Sequence, residues 1–112
     1  DYIHIKDIII GIIKSIDYLD KNKSNIFNLG SGKKYSVLDV INTCSKITNI
    51  KPKILIEKKR KYDCETLICK IDKAKKYLKW KPINSNLIKI IKDELRWFKY
   101  LNKKNFRRKF IY

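Results

Sequence analysis

The chain has 112 residues, the size of one small domain, and 44% of them are hydrophobic, which supplies a core and argues against wholesale disorder. Its 28 Lys+Arg against 11 Asp+Glu give a formal net charge of +17, but Lys is scattered over nearly every segment and travels with abundant Ile and Asn. That is the mark of an AT-rich coding bias more than of a polyanion-binding face. Three cysteines without a C-x-x-C pair and a single histidine offer neither a disulfide scaffold nor a zinc site. Reduced thiols in a cytoplasmic setting are the simplest account. No signal peptide is visible, and the apolar run from Ile8 to Ile13 falls short of the ~20 residues of a membrane span. The chain opens on Asp1 and contains no Met, as expected of a segment of a longer product.

"DYIHI" reads as a short extended entry. A first helix is expected from about Asp7 to Leu19, with Ile9, Ile12 or Ile13, Ile16 and Leu19 at helical spacing and Asp7 as N-cap. Its first half is apolar nearly all round, which implies burial on more than one side. "KNKSN" is a polar loop and "IFNL" a short strand. Ser36 opens a second helix through Ser36-x-x-Asp39, an approximate capping box. Val37, Val40, Ile41, Cys44 and Ile47 form its apolar stripe, and Asn49 and Pro52 stop it. "KILIE" is strand-like, "KKRKYDCE" a charged loop and "TLIC" a further short strand. Asp72 is expected to cap a short helix, "DKAKKYL", closed by Trp80 and Pro82. Ser85 is expected to cap the last helix, with Ile88, Ile91, Leu95 and Phe98 on one face. The tail "NKKNFRRKF" is basic and expected to fray. The fold class is α+β, with few short strands and about four helices. The main unit spans 1–100 and the tail 101–112.

The loop "GSGKKYS" follows a strand-like run and precedes a helix, as a phosphate cradle would. Its spacing is wrong for one. A dinucleotide loop needs a third glycine against the helix, and a P-loop needs four residues between glycines and then Gly-Lys-Ser/Thr. Gly30 and Gly32 are expected instead to allow a sharp turn with positive φ.

The blocks "DYIHIKDIIIGIIKSIDYL", "NLGSGKKYSVLDVI", "KKRKYD" and "DKAKKYLKWKP", in this order, resemble the C-terminal part of the UDP-glucose 4-epimerase family, within the extended short-chain dehydrogenase/reductases. The resemblance implies the small substrate-binding portion of an extended Rossmann-type α/β enzyme. In that family an N-terminal Rossmann half binds NAD and carries a Tyr-x-x-x-Lys pair. Neither its glycine fingerprint nor a suitably placed pair occurs here, since Tyr77 to Lys81 straddles a helix end and Pro82. No catalytic or cofactor-binding residue is therefore assigned to this chain, and no metal is implied.

What the resemblance carries over is the nucleotide-sugar side. Arg60 stands at an arginine that contacts the UDP diphosphate, and Asp63 at an aspartate near the uridine ribose. A guanidinium suits phosphate oxygens and a carboxylate accepts from ribose hydroxyls. Tyr2 lies in the "DYIH" block, near phosphates and sugar by resemblance or else a buried aromatic at a strand end. Leu67 takes the place of a residue lining the sugar pocket. Lys59, Tyr62 and Lys70 depart from the family's arginine, glycine and acidic residue.

The implied partners are a UDP-sugar and the N-terminal half, with a possible homodimer of the full enzyme. No membrane is implied, and nucleic acid is disfavoured. The implied reaction is interconversion of UDP-glucose and UDP-galactose, with this segment inactive alone. Alternatives are a sibling nucleotide-sugar dehydratase or decarboxylase, an inactive remnant, and a basic nucleic-acid-binding module. The last rests on aromatics interleaved with Lys in "RWFKYLNKKNFRRKFIY".

Overall fold

A computed structural model describes residues 1–21, 24–58, 61–62 and 64–108, the last five by backbone alone. Four helices are described: α1 Ile5–Leu19, α2 Val37–Thr48, α3 Asp72–Leu78 and α4 Leu87–Arg108. They pack in two pairs, α1 on α3 and α2 on α4. The central cluster is Ile71, Ala74, Leu78 and Trp80, with Ile3, Tyr18, Phe27, Leu29 and Cys69 against it. Tyr18 meets Phe27 edge-on at 5.1 Å and Tyr77 at 6.5 Å, tying α1 to the 27–29 run and to α3. Gly11 makes room for this core. A Cβ there would lie 2.7 Å from Leu29 Cδ1 and 3.2 Å from Trp80 Nε1.

α2 forms as its local sequence dictates. Ser36 Oγ accepts from Asp39 N at 3.0 Å, and Asp39 Oδ2 accepts from Ser36 N at 2.7 Å, completing the capping box. Asn49 ends the helix in the left-handed region at φ 56°. No α2 residue is fully buried, and Cys44 on its apolar stripe is half-buried.

The other helices start differently from expectation. α1 begins at Ile5, capped by His4, whose Nδ1 accepts from Lys6 N at 3.1 Å. Asp7 is not a cap; it sits inside the first turn, fully buried. In α3, Asp72 is the first helical residue, and Ile71 precedes it without a side-chain cap. Lys79 ends α3 in the left-handed region at φ 49°, just before Trp80 enters the core. α4 is capped by Asn86, whose Oδ1 accepts from Ile88 N at 3.0 Å, and not by Ser85. α4 continues to Arg108, through most of the stretch assigned to the tail.

The runs "IFNL", "KILIE" and "TLIC" form no strand among the described residues. A strand is defined by the ladder it makes with a neighbour, and a lone extended segment has none. Ile26 is 81% exposed and Ile56 87%, while Phe27, Leu29 and Cys69 lean on the core, so these runs are covered only in part inside this chain.

Candidate functional site

The glycine loop does bind an anion, and that anion is the Asp1 carboxylate. Asp1 Oδ1 accepts from Ser31 N at 2.7 Å and from Ser31 Oγ at 2.5 Å. Asp1 Oδ2 accepts from Gly32 N and Cys69 N, each at 3.0 Å. Four donors on one carboxylate are the charge-assisted kind of hydrogen bond, roughly twice as strong as neutral ones. Gly32 takes φ +67°, the positive value expected for the turn. Gly30 serves close approach. A Cβ there would lie 2.3 Å from Cys69 Cβ and 2.9 Å from Asp1 Oδ2. The Ser31 and Gly32 amides are thus engaged by an internal carboxylate.

This knot joins three distant stretches at one place. Asp1 N also donates to Leu67 O at 2.9 Å. Residues 1–2, 30–32 and 67–69 are therefore held side by side, which brings the candidates Tyr2 and Leu67 to one locale. Tyr2 is half-buried, and Leu67 is 77% exposed, open to a ligand or a further part of the protein. Arg60 and Asp63 lie outside the described residues. Their described neighbours Lys61 and Tyr62 are exposed, with the Lys61 ammonium 5.7 Å from the Tyr62 ring centre.

A second polar centre fixes the same segment from the other side. The buried Asp7 carboxylate accepts from Asn84 N at 2.9 Å, Asn84 Nδ2 at 2.9 Å and Ser85 Oγ at 2.6 Å. Its backbone oxygen accepts from Trp80 Nε1 at 2.8 Å. Ser85 Oγ in turn accepts from His4 N at 3.0 Å. Because His4 Nδ1 accepts from Lys6 N, the ring proton sits on Nε2, which donates to Asp93 Oδ2 at 3.0 Å. Asp93 also faces Lys89 Nζ at 3.2 Å and an Arg96 guanidinium nitrogen at 3.3 Å. The His4 hydrogen bond, then Lys89, hold its carboxyl below the usual value of 3.8. The lone histidine is thus a structural clasp between the start of α1 and α4.

The "DYIH" block points to Tyr2 and a local cap rule to Asp7, but the ties made by Asp1, His4 and Asp7 have no local signature, since these partners lie 30 to 89 residues away. The usable signal was a pair of acids flanking His4 in a short block. Beside this clasp, Ile3–Lys6 and one side of α4 line a groove of about 960 Å³, with Asp93, Trp97 and Tyr100 among its walls. Neither Tyr2 nor Leu67 lines it.

No family model matches the chain. Individual curated proteins do. It is 36% identical over 98 residues to a UDP-glucose 4-epimerase of Lacticaseibacillus casei, covering 87% of this chain and 30% of that protein. It is 37% identical over 93 residues to a UDP-glucose 4-epimerase of Corynebacterium glutamicum, covering 83% and 28%. A putative UDP-arabinose 4-epimerase of Arabidopsis thaliana is 30% identical over 99 residues, covering 88% and 24%. The chain spans about 30% of the length of the first two relatives. Matches of this kind, running along most of the chain and agreeing in name, show that it belongs to the UDP-glucose 4-epimerase family, as a segment corresponding to the C-terminal part.

Proposed function

We propose that the chain is the portion of a UDP-glucose 4-epimerase that anchors UDP while the hexose is interconverted between glucose and galactose configurations. Inverting one sugar carbon through a swinging intermediate needs a firmly held handle and a loosely held sugar. In this reading the Arg60 guanidinium grips the diphosphate and the Asp63 carboxylate accepts from the ribose hydroxyls. Tyr2 and Leu67 border the sugar side. NAD supplies the hydride chemistry and is held by the N-terminal Rossmann half, together with the residues that move protons.

The observation that carries this reading is the Asp1 knot. It gathers the stretches bearing Tyr2 and Leu67, and in the sequence Asp63 precedes Leu67 by four positions. The runs "IFNL" and "TLIC" then belong to an α+β portion whose sheet is completed by the N-terminal half. The free thiols of Cys44, Cys64 and Cys69 suit a cytoplasmic enzyme.

The test is a chimera in which this chain replaces the matched portion of the Lacticaseibacillus casei relative. UDP binding is measured by calorimetry. Arg60→Ala is expected to weaken it roughly 10- to 100-fold, the loss of a charge-assisted pair of hydrogen bonds. The 112-residue chain by itself is expected to turn over no UDP-galactose. Unchanged UDP affinity in Arg60→Ala, or turnover by the isolated chain, overturns the reading.

A further inference from the structure

α4 carries a cluster of side chains that the nucleotide-sugar reading leaves unused. Lys is scattered along the sequence, but the folded chain groups part of it. From Leu95 to Tyr112 there is no Asp or Glu, against Arg96, Lys99, Lys103, Lys104, Arg107, Arg108 and Lys109. α4 runs unbroken to Arg108 and gives these cations a helical register. Arg96, Lys99 and Lys103 are three and four residues apart, so they share one stripe, spaced ~4.5 and ~6 Å along the axis. All three are exposed. Beside them stand Trp97 and Tyr100, 54% and 53% exposed. Their rings stack on each other, with centroids 5.5 Å apart and planes 22° from parallel. Both rings line the groove beside the His4 clasp, with Ile3–Lys6 on its other wall. The acids of that groove precede the ring pair. Asp93 is taken up by His4, Lys89 and Arg96, and Glu94 lies three residues before Trp97.

We propose that this side of α4 and its groove bind single-stranded nucleic acid. A base stacks on the Trp97–Tyr100 pair, while Lys99, Lys103 and the solvent-facing donors of Arg96, whose side chain is 81% exposed, meet successive phosphates. Exposed rings beside a row of cations are what a flexible strand with unstacked bases can use, because every base has a face to stack and every link a phosphate. A duplex keeps its bases stacked inside and shows only their edges in the grooves, so it leaves the rings without a partner. A membrane surface requires an apolar face sustained along the helix. After Leu101, α4 reads Asn-Lys-Lys-Asn-Phe-Arg-Arg, which offers Phe106 alone. The site is separate from the proposed UDP anchor, since neither Tyr2 nor Leu67 lines the groove.

The probe is a labelled oligo(dT) of about 12 nucleotides, titrated with the 112-residue chain at several salt concentrations and read by fluorescence anisotropy. Trp97→Ala is expected to weaken binding roughly 5- to 100-fold through loss of stacking, and Trp97→Phe, which keeps a ring, by less than about 3-fold. Lys99→Gln with Lys103→Gln is expected to flatten the slope of log affinity against log salt by ~1.4, two phosphate contacts at ~0.7 each. Lys51→Gln with Lys53→Gln removes the same charge from an exposed segment elsewhere and is expected to leave the slope unchanged. Unchanged affinity in Trp97→Ala overturns the proposal. Equal flattening by the two lysine pairs also overturns it, because the strand then answers to net charge alone. So does binding to phosphatidylserine vesicles without binding to the oligonucleotide, which assigns the helix to a membrane surface. Displacement of the oligonucleotide by UDP overturns it as well, because the strand then occupies the nucleotide-sugar site.

Discussion

Asp7→Ala is the substitution in which the architecture is most exposed to test. The Asp7 carboxylate is wholly buried and is the acceptor for three donors at the head of α4, two from Asn84 and one from Ser85. Removing it leaves the buried Ser85 hydroxyl and the half-buried Asn84 amides without their acceptor. An unsatisfied buried donor costs about 1–3 kcal/mol, and a partly buried one costs less because water reaches it. The total is about 3–5 kcal/mol, a large part of the 5–15 kcal/mol that holds a typical domain folded. At roughly 4 °C or more per kcal/mol for a chain of this size, the melting temperature is expected to fall by ~15 °C. Asp7→Asn keeps the shape and one acceptor oxygen but turns an amide donor toward existing donors, so an intermediate loss of about 2 kcal/mol is expected. Asp17→Ala, on the exposed side of the same helix, is expected to stay within about 0.5 kcal/mol of wild type. Urea and thermal unfolding followed by far-ultraviolet circular dichroism measure all three. A loss under ~1 kcal/mol in Asp7→Ala, or one no larger than that of Asp17→Ala, refutes the assignment of Asp7 as the tie between α1 and α4.

Gly30→Ala is expected to destabilise by about 1–3 kcal/mol and to loosen the Asp1 knot, since its Cβ would meet Cys69 Cβ at 2.3 Å. An unfolding curve superimposable on wild type counts against that packing. Ser36→Ala removes half of the capping box and is expected to cost about 1 kcal/mol while leaving UDP affinity in the chimera unchanged. Asp93 contributes stability that is complete above its unfolded value of 3.8 and is lost as pH falls through its lower folded value. Melting temperatures of wild type should therefore drop more steeply than those of Asp93→Asn below about pH 4. Parallel pH profiles for the two proteins contradict the His4–Asp93 clasp.

α2 was readable from its own residues. Ser36, Asp39, the apolar stripe and Asn49 all act within a few residues of one another, so the rules that apply to an isolated helix apply here. The starts of α1 and α4 were misread for one shared reason. Asp7 and Ser85 are both of the type that caps helices, but they bond to each other across 78 residues at 2.6 Å. Capping then falls to His4 and Asn86. The glycine loop differs in spacing from nucleotide loops, and Gly32 takes the expected positive φ. Its actual ligand, the Asp1 carboxylate, carries no local signature. Of the candidate site residues, Tyr2 and Leu67 come together through Asp1, while Arg60 and Asp63 lie outside the described residues.

By itself the sequence determined the helical periods, the α2 cap and, through its ordered blocks, the family. These depend on contacts within one or two turns, or on matching residues along the chain. The tertiary structure alone decided which polar groups satisfy one another and which face of α1 turns outward. A buried donor must find an acceptor wherever the folded chain puts one, and that choice is made between residues tens of positions apart.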